Sequence, residues 1–223
     1  MRRKLLVGST LGLVVAAVAV SALARLGWIA VAIPRPEGPT LWTASRASGL
    51  VAFVALSLDA ILGLSISTGV GDRVFARGSN VALHRFLSSA SLALVAAHVV
   101  LLIGDPFVGF DAIDAVVPFV TEYRPLAVGA GSLAAYGAFV LHASFDARAR
   151  IGVVAWKRLH RLSFAVYLLA LGHGVMAGSD SGRGGVAIVY LASAGVVGWL
   201  VGRRFLGGGN GKGVQAGATV GGT

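Results

Sequence analysis

The sequence has no cysteine and few charged residues. Without cysteine, its 223 residues cannot form disulfides, iron–sulfur clusters or thiolate–iron bonds, which leaves histidine as the strong nitrogen ligand for a metal. Charged residues make up only 13% of the chain, about half the share typical of a soluble domain. Together with a mean hydropathy of +0.82, this predicts an all-α integral membrane protein.

Basic residues outnumber acidic ones, with a formal net charge of +10 and a pI near 11.2. Such a balance also occurs in nucleic-acid-binding proteins. Here, however, the basic residues lie in short connections between apolar stretches, where membrane topology explains them. We therefore expect membrane lipid and no nucleic acid as a partner.

Six stretches are long and apolar enough to cross a hydrocarbon core of ~30 Å. These predicted spans are Leu5 to Ala24, Ser48 to Ser67, Val81 to Ile103, Leu126 to Phe145, Trp156 to Ala177 and Gly185 to Val201. The apolar stretch Val116 to Val120 is too short to span and is expected at the interface. The first stretch, with a small-residue run at Ser21 to Ala24, also fits a cleavable signal, but its length favours a retained span.

These spans divide the chain into three predicted parts. Residues 1–40 comprise the first transmembrane helix and an outer loop, and residues 41–206 form the main membrane domain. Residues 207–223 form a glycine-rich tail that is expected to be disordered.

Basic residues also predict the orientation of the spans. With a cytoplasmic N-terminus, 14 of the 19 Lys and Arg residues fall inside. Five fall outside, namely Arg25, Arg35, Arg46, Arg124 and Arg183. This excess predicts that both termini are cytoplasmic and that the third and fifth spans run outward.

Four histidines lie as two pairs within the third and fifth spans. His84 and His98 are 14 residues apart, and His160 and His173 are 13 apart, so each pair is separated by ~20 Å along its helix. Facing helices with histidines at two depths can supply two bis-histidine heme sites, one above the other. Histidines that only pack or form interhelix hydrogen bonds are the alternative, although ionisable residues inside membranes are rare.

The angular geometry is better for one pair than for the other. Fourteen residues leave His84 and His98 within about 40° of one helix face. Thirteen residues leave His160 and His173 about 140° short of whole turns, so we expect a local distortion at the flanking Gly172 and Gly174.

The stretches WTASRASGLVAF, LHRFL, WKRLHRLSF and LGHGV resemble the ferric-reductase-like transmembrane domain family, which includes ferric reductases and the membrane part of NADPH oxidases. The resemblance covers residues 41–178. The chain is also similar to the heme-binding membrane subunit of the methionine sulfoxide reductase system. Members of that group commonly lack the first histidine of the third span, which is present here as His84.

The resemblance implies a multi-pass cytochrome of the cytoplasmic membrane that moves single electrons through two hemes b. One heme would be held by His84 and His160, the other by His98 and His173. We expect no flavin or NAD(P)H domain in this chain. Electrons would come from a separate flavoprotein or from quinol, and an acceptor protein or ferric chelate outside would receive them.

Two other functions remain open. The chain is alternatively a quinol-oxidising subunit that serves an extracytoplasmic reductase. A proton-coupled transporter is a third possibility, against which the sequence shows no inverted repeat.

Four other polar residues stand out in the predicted spans or next to their ends. Arg46 is either a cofactor-binding residue for an outer heme propionate, as the resemblance implies, or an interface arginine, and Arg124 is a weaker candidate for the same role. His142 is interpreted as structural. Asp59 lies mid-span, where it is either hydrogen-bonded within the bundle or part of a proton path.

Overall fold

The computed structural model describes residues 40–73, 76–106 and 109–207, and every regular element in these ranges is helical. The first predicted span and almost all of the glycine-rich tail lie outside the described residues, as do both termini.

Seven α-helices and one short 3-10 helix follow one another along the described chain. The α-helices are α1 (Thr40–Thr68), α2 (Arg77–Gly104), α3 (Ala112–Val116), α4 (Pro125–Ile151), α5 (Val153–His160), α6 (Ser163–Ala177) and α7 (Gly184–Gly207), and the 3-10 helix is Gly71–Arg73. Five segments are long and apolar enough to cross a membrane: α1, α2, α4, α5 with α6, and α7 up to Arg204. They correspond to the second to sixth predicted spans, and the all-helical prediction is confirmed for the described residues.

Large apolar side chains lie on the outside of the bundle, as lipid contact requires. Phe86, Leu126 and Leu191 are 66%, 70% and 73% exposed. Buried positions include many small residues, among them Ser45 and Ser57, which allow helices in lipid to approach closely.

The helices are arranged so that each histidine-bearing helix has a second helix behind it. Helix α1 packs along α2, α4 packs along α6, and α7 packs against α1. An aromatic and aliphatic core, which includes Phe53, Tyr167 and Tyr190, joins α1, α6 and α7. By contrast, the described backbones of α2 and α6 do not pack closely against each other.

The fifth predicted span is interrupted at Arg161 and Leu162, between α5 and α6. Two hydrogen bonds here join residues three apart. The amide of Leu162 donates to the carbonyl of Leu159 (2.9 Å), and the amide of Phe164 donates to the carbonyl of Arg161 (3.3 Å). The distortion expected at Gly172 and Gly174 is not found, because α6 continues through both.

This tightened turn changes the angle between the two histidines of the span. A 3-10 turn has about 3.0 residues, so each residue in it advances ~20° more than in an α-helix. The extra rotation reduces the 140° mismatch and acts in the direction needed to bring His160 and His173 towards one side.

Candidate functional site

The four histidines meet as two pairs between α2 and the α5–α6 segment. The ring centroids of His84 and His160 are 6.1 Å apart, with the ring planes at 89°. Those of His98 and His173 are 6.3 Å apart, at 75°. We call these the His84 pair and the His98 pair. They are the pairings that the family resemblance implies.

In three of the four histidines, the Nδ1 atom contacts a main-chain carbonyl of the helix behind. His98 contacts the carbonyl of Ser45 at 2.7 Å, and His173 that of Ala127 at 2.9 Å. His84 contacts the carbonyl of Asp59 at 3.1 Å. A carbonyl accepts only from a protonated Nδ1, so Nε2 is left as the nitrogen that can bind a metal.

Asp59 presents a second oxygen to the same histidine. Its Oδ1 lies 2.7 Å from Nδ1 of His84, in ion-pair contact, while the carbonyl oxygen has the direction of a hydrogen bond. The Asp59 side chain is only 13% exposed. A buried carboxylate is thus placed directly behind one imidazole, which makes the His84 pair electrostatically different from the His98 pair.

His160 has a different environment. Its Nδ1 is buried and has no hydrogen-bond partner among the described residues. Its ring stacks on Trp156, with centroids 5.1 Å apart and planes at 22°. Trp156 in turn contacts Phe145 of α4, at 6.2 Å between centroids. An aromatic stack therefore holds this imidazole where a carbonyl holds the other three.

The spacing within each pair fits one iron between two imidazoles. A metal–imidazole bond is ~2.0 Å, and the ring centroid lies ~1.1 Å beyond the nitrogen, so two opposed rings need roughly 6.2 Å between centroids. No group of three or more His, Asp or Glu residues in the described ranges forms a multi-ligand metal site. Axial ligation of heme requires only two protein ligands, because the porphyrin supplies the other four nitrogens. The residues present therefore fit bis-histidine heme.

The carbonyl contacts are also those expected around metal-ligating histidines. Such histidines usually donate their second ring N–H to a carbonyl or a carboxylate, which fixes the tautomer and the ring orientation. His98, His173 and His84 each have a carbonyl partner, and His84 also has the Asp59 carboxylate in ion-pair contact.

Both candidate arginines lie at the end of the bundle that holds the His98 pair. The guanidinium of Arg46 forms an ion pair with Asp180, which also pairs with Arg183 at 2.7 Å. Arg124 donates to the carbonyl of Met176 at 2.5 Å. In this structure, both arginines thus connect the start of one helix to residues at or just after the end of α6.

His142 has a partner on a neighbouring helix. Its Nδ1 lies 3.1 Å from Oγ of Ser88 on α2, so the contact joins α4 to α2. This agrees with the structural interpretation of His142.

Sequence reasoning missed three glycines that contact the histidine rings. Gly49 and Gly63 on α1 lie against His98 and His84, and Gly131 on α4 lies against His173. A signal was present in the sequence, since Gly49 and Gly63 are 14 residues apart, as His84 and His98 are.

No family model matches the chain, and no curated protein and no solved structure matches it either. The case for its function therefore rests on its own residues and their geometry.

Proposed function

We propose that this chain is a transmembrane b-type cytochrome that moves single electrons across the cytoplasmic membrane. His84 and His160 would hold one heme b, and His98 and His173 a second. The helices that carry these ligands would be the third and fifth of six spans, with both termini in the cytoplasm.

One observation carries the proposal: two histidine pairs, with centroids 6.1 and 6.3 Å apart, at two depths between the same segments. Along α2 the two depths differ by ~21 Å. If the histidines served only to pack the helices, the two pairs would not need the same distance between ring centroids. Nor would the backbones of α2 and α6 need to be separated, as they are here.

Bis-histidine heme supplies reversible one-electron exchange and has no open position for oxygen. The protein's part is to present Nε2 of each histidine and to keep its Nδ1 engaged, as it does for three of the four. All four imidazoles are only partly exposed, which limits their contact with water. An electron can then cross the apolar bundle without a charged side chain having to move.

The direction and the partners of transfer form part of the proposal. Of the 13 Lys and Arg residues in the described ranges, ten lie towards the end that holds the His84 pair and three towards the other end. This supports a cytoplasmic His84 end. A separate flavoprotein or quinol would deliver electrons there, and a protein or ferric chelate outside would accept them.

The test is a dithionite-reduced minus oxidised spectrum of purified protein. We expect a low-spin b-heme signal and two hemes per chain. Either His98→Ala or His173→Ala should remove about half of this signal, because each removes one axial ligand of the same heme. His142→Ala is the matched control and should leave the signal unchanged.

A heme-free wild-type protein would contradict the proposal. Transport activity in such heme-free protein would instead favour the transporter alternative.

A further inference from the structure

The carbonyl partners and the glycines around the histidines follow one rule. His98 contacts the carbonyl of Ser45 and packs on Gly49, four residues later. His84 contacts the carbonyl of Asp59 and packs on Gly63, again four residues later. The rule recurs on α4, where His173 contacts the carbonyl of Ala127 and packs on Gly131.

Helix geometry explains why the glycine stands at this distance from the carbonyl. In an α-helix, the carbonyl of residue i accepts from the amide of residue i+4 and keeps a second lone pair. Side chains tilt towards the N-terminus of the helix, so one at position i+4 lies beside that carbonyl oxygen. Glycine at i+4 leaves the oxygen accessible to an imidazole from another helix.

The distances show how little room a side chain would have. A β-carbon at Gly131 would lie 2.5 Å from Nδ1 of His173, and one at Gly49 would lie 2.9 Å from Nδ1 of His98. At Gly63 the nearest atom would be Cε1 of His84, at 3.1 Å. Gly49 and Gly63 are the two glycines of α1, and both occupy such positions.

We propose that these three carbonyl–glycine seats are positioning devices that orient the axial ligands of the two hemes. Each seat is a helix carbonyl plus the glycine four residues after it. The inference rests on the proposed function, and it adds Gly49, Gly63 and Gly131 as residues that determine ligand orientation. The His98 pair has a seat for both of its ligands, whereas the His84 pair has one.

His160 has no such seat, and the corresponding position on α4 shows why. Fourteen residues after Ala127 and Gly131, the repeat seen on α1, stand Leu141 and Phe145. The carbonyl of Leu141 accepts from Oγ of Ser144 at 2.7 Å. Phenylalanine replaces the glycine, and its ring contacts the tryptophan that stacks on His160.

The experiment substitutes each seat glycine by alanine in the full chain. Heme content and the low-spin electron paramagnetic resonance signals of the oxidised protein are then measured, since those signals report the orientation of axial imidazoles. Gly131→Ala and Gly49→Ala should shift or remove only the signal of the His98 pair, with loss of up to half of the heme. Gly63→Ala should shift the signal of the His84 pair and retain its heme, because its contact is the least close.

Gly172→Ala is the matched control. Gly172 adjoins His173, but a β-carbon there would have no atom of the described chain within 4 Å, so both signals should stay as in the wild type. In each seat variant, the signal of the other pair reports that the bundle has folded.

Two outcomes would overturn the seats while leaving the proposed function intact. One is wild-type signals in both Gly49→Ala and Gly131→Ala. The other is loss of both signals together in every seat variant, which would assign the glycines to general helix packing. A heme-free wild type would instead refute the proposed function itself.

Discussion

At the scale of single residues, the carboxylate of Asp59 is what distinguishes the two histidine pairs. It contacts Nδ1 of His84 at 2.7 Å, whereas Nδ1 of His98 and Nδ1 of His173 each contact a neutral carbonyl of the described chain. An anionic partner makes an imidazole a more basic ligand and so favours the oxidised metal. Under the proposed function, the heme held by His84 and His160 would therefore have the lower reduction potential, and electron transfer towards the heme held by His98 and His173 would be favourable.

Asp59→Asn tests this difference. The substitution keeps the main-chain carbonyl and removes the charge. The reduction potential of the heme assigned to the His84 pair should therefore rise, and that of the heme assigned to the His98 pair should stay unchanged. Each tenfold change in relative affinity for the two oxidation states corresponds to about 59 mV. A potentiometric titration of the b-heme absorbance measures both components.

Asp72→Asn is the control for Asp59→Asn. Asp72 lies in the 3-10 helix and forms an ion pair with Arg77 (3.1 Å), the first residue of α2, with no histidine contact of its own in the described chain, so both potentials should be unchanged. Equal shifts of both components in Asp59→Asn would contradict a role specific to His84.

At the scale of secondary structure, the long helices were predictable and the details of their packing were not. Apolar length alone places α1, α2, α4 and α7 close to the predicted spans. The interruption at Arg161 and Leu162 was missed because neither residue is a helix breaker. The contact of Asp59 with His84 was missed because it depends on the register between two helices.

The histidine site, too, was predictable in part. Pairing of the histidines follows from matched depth on two segments that run in the same direction. For three of the four histidines, the hydrogen-bond partner is a main-chain carbonyl, which any residue type carries, so a sequence contains no direct sign of it. Only the glycines leave a trace, in the common 14-residue spacing of Gly49 with Gly63 and of His84 with His98.

A buried chain of hydroxyl groups joins three helices. The hydroxyls of Tyr167 on α6 and Ser193 on α7 are 2.8 Å apart, and Ser193 donates to Ser57 on α1 at 2.9 Å. Such interhelix hydrogen bonds in membrane proteins contribute on average ~0.6 kcal/mol and at most ~1.7 kcal/mol.

Ser193→Ala should therefore lower the unfolding free energy by about 1 kcal/mol and leave the heme content unchanged. Thermal unfolding in detergent measures the effect as a lower Tm. Ser89→Ala is the matched control, because Ser89 is exposed and, among the described residues, bonds only to the carbonyl of Arg85 in its own helix. Loss of heme in Ser193→Ala would show that the hydroxyl chain also supports the site.

At the scale of the whole molecule, the distribution of charge predicts which end faces the cytoplasm. Because the sequence has no cysteine, a single introduced thiol reports the location of its own position. Ser79 lies exposed at the end that holds the His84 pair, and Gly182 lies exposed at the opposite end. With ten of 13 described basic residues at the first end, we expect a membrane-impermeant maleimide to label Gly182→Cys on intact cells. Ser79→Cys should be labelled only after permeabilisation. The reverse labelling pattern would place the His84 pair on the outer side and would reverse the proposed direction of electron transfer.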